Sequence, residues 1–180
     1  MRGKDQNRIK NSWIIPLLVV LLSSYVAPSL SSLHPSPFTF HPSPFTFHQV
    51  NDSLYWLNDW RLPYPVYRFC TGDVDGDGTE DALVGVIKST RYHPEVGRRL
   101  FIFKLVDGKK VRPLWLGSSL GATLVDFRFV DGRVRALQTD DHGHYAVAEY
   151  GWKDFGLIFL HFIVKNTNQQ NAIKQFERTP

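Results

Sequence analysis

The segment Asp73-Val74-Asp75-Gly76-Asp77-Gly78-Thr79-Glu80-Asp81 places carboxylates at relative positions 1, 3, 5 and 9. That alternation lets a looping backbone aim every second side chain at one centre. Gly78 stands at position 6, where the turn is sharpest, and Thr79 at position 7 can offer its backbone carbonyl. Carboxylates crowded this closely repel one another unless a cation sits among them. Oxygen donors at such density suit calcium, whereas magnesium demands stricter octahedral geometry and retains more of its water. A solvent-facing acidic turn with no ion is the plainer alternative. An EF-hand does not fit, because its twelfth position calls for a bidentate glutamate and here holds Val84.

Other residue types capable of chemistry read more simply as structure. Asp140-Asp141-His142-Gly143-His144 combines acids and imidazoles, and Asp140, Asp141, His142 and His144 could line a hydrolase cleft. Their place between two strand-like runs makes them a polar hairpin turn first. Gly117-Ser118-Ser119-Leu120-Gly121 matches the nucleophile-elbow pattern, but that device needs a strand turning into a helix, and Ala122 to Val125 continues as a strand. His34, His41 and His48 recur every seven residues as part of a duplicated linker rather than as a metal site. His161 reads as a core or face residue, and Trp115, Tyr150 and Trp152 as aromatic packing. No set of nucleophile, base and orienter emerges, so catalysis is not expected.

The elements that must position the acidic loop are strands. Val66 to Cys70 precedes it and Ala82 to Lys88 follows directly. Leu100 to Val106 and Val111 to Leu116 flank Asp107-Gly108, and Leu124 to Val130 and Arg133 to Gln138 flank Asp131-Gly132, both strong hairpin signals. Val125, Phe127 and Phe129 alternate with Asp126 and Arg128, the period of a half-buried strand. Tyr145 to Trp152 and Leu157 to Val164 complete the series. Leu157-Ile158-Phe159-Leu160 is apolar on both faces, which predicts a strand in the middle of a sheet. The expected fold is all-β, two four-stranded antiparallel meanders packed together like a pair of propeller blades. In this setting the acidic loop resembles the calcium loops of FG-GAP and VCBS-type β-propeller repeats, D-x-D-x-D-G-x-x-D, over Gly72 to Gly85. That resemblance implies a structural calcium ion with Asp73, Asp75, Asp77 and Asp81 as side-chain ligands and Thr79 as a backbone ligand. The loop occurs once, and a closed ring needs at least about four blades, so two sheets face to face are expected instead.

Composition sets the rest. Of 21 Lys+Arg and 17 Asp+Glu, four and one lie in the first thirteen residues, leaving 17 against 16. The body of the chain is therefore nearly neutral, and nucleic acid is not an expected partner. Cys70 stands alone, which excludes an internal disulfide and a cysteine zinc site. Basic residues followed by the apolar run from Trp13 to Ala27 read as an export signal or N-terminal anchor over 1–31. Residues 32–51 hold the tandem His-Pro-Ser-Pro-Phe-Thr-Phe copies and read as an extended linker. The β domain is then 52–164, and 165–180 a polar tail or short helix. The expected product is an exported calcium-binding β-module whose partner is a protein or surface ligand, touching a membrane only through its N-terminal segment if that is retained. A small secreted or periplasmic hydrolase using residues 140–144 is the alternative.

Overall fold

The computed structural model describes residues 43–91, 93–117 and 120–179. The expected export segment or anchor and the first His-Pro-Ser-Pro-Phe-Thr-Phe copy lie outside the described residues. Among those described, no helix is long and apolar enough to cross a membrane.

Among the described residues, eleven strands and one helix follow in chain order. A small sheet holds β1 (Phe47–Asn51), β2 (Leu54–Leu57) and β3 (Trp60–Leu62). The first meander is β4 (Val66–Gly72), β5 (Asp81–Thr90), β6 (His93–Val106) and β7 (Lys110–Trp115). The second is β8 (Thr123–Val130), β9 (Arg133–Thr139), β10 (Tyr145–Lys153) and β11 (Gly156–Thr167). Every pairing is antiparallel. The two four-stranded meanders stand as expected, and the three-stranded sheet is an addition.

Strand alternation sorts the apolar side chains into layers. Leu83, Leu100, Ile102, Phe127, Val134 and Ala136 fill the space between the two meanders. Ala82, Val84, Val86, Phe101 and Phe103, on the opposite face of the first meander, meet Leu57 and Leu62 of the small sheet. Helix α1 (Gln169–Glu177) presses Ala172 and Phe176 onto Leu137 and Val147 behind the second meander. Its first turn is capped by Asn168, whose side chain accepts the Asn171 N–H at 2.9 Å. Buried Gln138 closes the passage between meanders by donating to the carbonyls of Leu120 (3.1 Å) and Ala122 (3.3 Å) and accepting the Tyr150 hydroxyl (3.1 Å).

Three expectations change. The strands covered on both faces are the inner ones, β5, β6, β9 and β10, whereas β11 is an edge. Ile158, Phe159, Leu160 and Phe162 of β11 keep 41%, 48%, 39% and 46% of their surface exposed. An apolar run tells that a strand avoids water, not that a neighbour exists to shield it, and here the chain turns into α1 before another strand can pair. The linker assignment also ends too late. Phe45 is only 7% exposed and Phe47 packs against the same cluster, so part of the second repeat belongs to the core. At the other end, the polar stretch after 165 takes its short-helix form and is anchored by packing.

Candidate metal centre

The acidic loop joins β4 to β5 and is wound by its own side chains. Asp73 accepts the N–H groups of Gly76 (2.8 Å) and Gly78 (2.9 Å), one on each carboxylate oxygen. Asp75 Oδ1 accepts the Asp77 N–H at 3.3 Å. Asp77 Oδ1 accepts both the N–H (2.9 Å) and the hydroxyl (2.6 Å) of Thr79. Such side-chain acceptors satisfy a backbone that has no strand partner. Val74 is buried in the core between the meanders, so the loop is pinned at its second residue.

Asp81 differs from the others. It opens β5, a strand covered on both faces, and is 0% exposed. Its Oδ2 accepts the Val74 N–H at 2.9 Å, while Oδ1 is buried with no hydrogen-bond partner. Burial, with the Asp75 charge adding to it, pushes its carboxyl up to about 6. An ionised carboxylate in that state is costly unless a cation reaches it. Asp73, Asp75 and Asp81 each present a carboxylate oxygen within 4.8 Å of the other two. The three could hold a metal ion, and their donor set is all oxygen.

The structure thus brings together three of the four expected acidic ligands. Asp77 turns instead to Lys104 and Thr79, and half of its side chain faces solvent. Thr79 is held by the two bonds it donates to Asp77. Lys104 is the functional neighbour that sequence reasoning missed. Its ammonium lies 2.5 Å from Asp75 Oδ2 and 2.6 Å from Asp77 Oδ2. Burial would pull its pKa down, but the two carboxylates outweigh burial and raise it; the bond from Lys104 is the leading reason that Asp77 lies well below the usual carboxylate range. A signal did exist in the sequence, since Lys104 is a cation on the same strand face as Leu100 and Ile102. Using it required the β5–β6 register, in which Ala82 faces Phe103 and Lys104 comes one step beyond.

The second acidic cluster is arranged otherwise. Asp140 Oδ1 accepts the N–H groups of His142 and His144, both at 2.9 Å, and Oδ2 meets His144 Nδ1 at 3.1 Å. Those bonds, the His144 N–H foremost, hold the Asp140 carboxyl below its ordinary range. Asp140, Asp141, His142 and His144 are all exposed on the β9–β10 turn. Asp140 and His144 reach the rim of a cavity of about 410 Å³ that is also lined by Tyr150, Phe159 and Phe162. The elbow-like segment lies between β7 and β8, with a strand after it; Ser118 and Ser119 are outside the described residues. His161 sits on the outer face of β11, 3.6 Å from Glu149 Oε2.

Compared with known proteins, the chain matches no family model, no curated protein and no solved structure. The likeness to propeller calcium loops therefore rests on the loop residues alone.

Proposed function

We propose that this chain is an exported calcium-binding β-module with a binding or structural role and no catalytic activity. The observation that carries the reading is the Asp81 carboxylate, buried and unpartnered on one oxygen, beside Asp73 and Asp75. Calcium accepts about 6–8 oxygen ligands in flexible geometry. Three carboxylates, the Thr79 carbonyl, Asp77 after release from Lys104, and water together supply that number. An ion there would neutralise the buried charge and tie the start of β5 to the end of β4, so its effect is on the scaffold. Export rests on the basic and apolar pattern of residues 1–31, and the partner is a protein or surface ligand. The non-catalytic reading is supported by Asp140, whose oxygens are engaged in holding their own turn.

The test is a thermal melt of the full chain in calcium, in magnesium and in chelator. At a hundredfold excess over Kd, binding to the native state contributes about 2.7 kcal/mol, a rise in Tm of roughly 10 °C for a domain of this size. Asp75→Ala and Asp81→Asn should each abolish the rise. Equal Tm in calcium and chelator would end the proposal.

A further inference from the structure

The outer edge of the second meander is built differently from every other sheet edge among the described residues. β7, an edge of the first meander, carries Lys110, Arg112 and Pro113. β4 and β8 lie against each other and are joined by the Arg68–Asp126 ion pair. The edges of the small sheet, β1 and β3, span only five and three residues. Charge, proline, mutual cover and shortness all keep an edge from pairing with another chain. β11 is twelve residues long, has no proline, and holds one permanent charge, Lys165, near its end. Its only guard is a set of bulges against β10, which bend the strand but leave its apolar side chains in place.

Those side chains are exposed on both faces. Phe159 stands on the Tyr150 face, 6.0 Å from the Tyr150 ring and 4.8 Å from that of Phe162. Leu160 lies on the other face, over Gly151. A strand apolar on both faces belongs in the middle of a sheet, and this one has a neighbour on one side only. Phe155, in the turn that leads into it, is 94% exposed. Two charges identify the missing neighbour. Asp154 precedes β11 and Lys165 stands near its end, and neither is in an ion pair with a described residue. Antiparallel alignment of two copies brings the Asp154 turn of each to Lys165 of the other, whereas parallel alignment would set like against like. Lys153, at the same turn, lies one strand further in, on β10.

We propose that β11 is the interface with a second copy of this chain, the strand pairing antiparallel to its own copy about a two-fold axis at Leu160. The two second meanders then form one continuous sheet. In this register Ile158 lies opposite Phe162 of the second copy, Phe159 opposite His161, and Phe155 opposite Lys165. The Lys165 ammonium, 6.0 Å from the Phe162 ring of its own chain, gains a second aromatic neighbour. Because the contact is isologous, each copy uses its edge once and the assembly closes as a dimer. Four half-exposed apolar side chains and the strand edge, counted on both copies, remove about 1,200 Å² from water, the low end for a stable interface. The dimer is therefore a weak one, with a Kd of about 1–10 μM. This interface adds a partner to the proposed module without calling on the metal site.

The experiment is sedimentation of the full chain in chelator, which keeps the outcome independent of calcium. Wild type should be a dimer at about 100 μM and a monomer at about 0.1 μM. Ile158→Lys/Leu160→Lys should be monomeric at both while keeping its far-ultraviolet circular dichroism. Val50→Lys, at an exposed apolar residue of the small sheet, should leave the dimer intact. Single cysteines in a Cys70→Ser background read the register. Leu160→Cys should form a disulfide dimer by itself. Ile158→Cys should cross-link to Phe162→Cys and neither to its own kind, since a disulfide needs Cα atoms within about 7 Å. If the lysine variant fails to fold, this cysteine pattern alone decides. A wild-type monomer at the higher concentration would overturn the proposal and assign the strand to another occupant. So would a dimer indifferent to the two lysines, or cross-linking as efficient at Lys165→Cys as at Leu160→Cys.

Discussion

Two acidic turns of this protein, Asp73 to Asp81 and Asp140 to His144, use the same local device and arrive at different electrostatic states. In each, an aspartate at the head of the turn accepts two backbone N–H groups that no strand could satisfy. The first turn then feeds directly into a strand covered on both faces, and its last carboxylate is carried out of water with one oxygen unmatched. The second joins two inner strands of its sheet, yet its residues stay in solvent. The two aspartates at the centre of this contrast shift in opposite directions. Asp81 is pushed up to about 6, while the turn's own N–H groups pull Asp140 down. Acidic density is thus a poor guide to a metal centre. What marks one is a carboxylate that the fold has desolvated without providing a partner.

The contrast predicts opposite signs for the same substitution. In chelator at pH 7, Asp81→Asn should raise stability by on the order of 2–3 kcal/mol, since a folded pKa of about 6 against the ordinary 3.8 makes ionised Asp81 a burden on the folded state. The sign follows from proton binding: between pH 4 and 6 the folded chain holds this proton more tightly than the unfolded chain. Wild-type stability should therefore fall as pH rises through that window, and the Asn variant should lose the slope. Asp140→Asn should do the reverse, lowering stability slightly near neutral pH, with the Asp140 contribution lost as pH falls through its depressed pKa. Urea midpoints at unit steps from pH 2 to 7 measure both. If the two variants shift stability in the same direction, the distinction between the turns is wrong.

A smaller effect tests Lys104. Its ammonium holds oxygens of Asp75 and Asp77 that an ion needs, and adds a like charge beside it. Lys104→Met should tighten calcium binding by about tenfold, read by titration calorimetry; weaker binding would mean that the lysine orders the site rather than competes for it. Smallest is a matched pair of glycines. Gly78 and Gly143 both have positive φ, 84° and 79°, with open space where a Cβ would lie. Alanine at either should cost about 1 kcal/mol in chelator from backbone strain alone. Only Gly78→Ala should also reduce the gain in Tm from calcium, because only that turn would have to close around an ion.

Much of this was legible in the residues. All eight strands of the two meanders follow from alternation and from turn pairs such as Asp131-Gly132, since both are set by side-chain direction within a few residues. The small sheet was less visible. Its strands span three to five residues, too short for a period to register, and its first member begins inside a proline-rich repeat. Phe45 illustrates the difficulty. Two prolines in seven residues forbid a helix but say nothing about whether the phenylalanines among them meet a surface. The run at 157–160 failed in the opposite way, because apolar side chains predict a neighbour that the chain does not provide.

The sequence by itself determined where the backbone would loop and which oxygens the loop would carry. Asp73, Asp75, Asp77 and Thr79 interact within six residues, and short-range sterics and hydrogen bonds depend on little else. Only the tertiary structure decided which of the acids would be desolvated and which would meet a cation. Asp81 is buried because β5 is sandwiched between the small sheet and the second meander, and Lys104 reaches Asp75 because β6 pairs with β5 in one register. Burial and cross-strand charge are properties of layers assembled from distant segments, and no local pattern of residues encodes them.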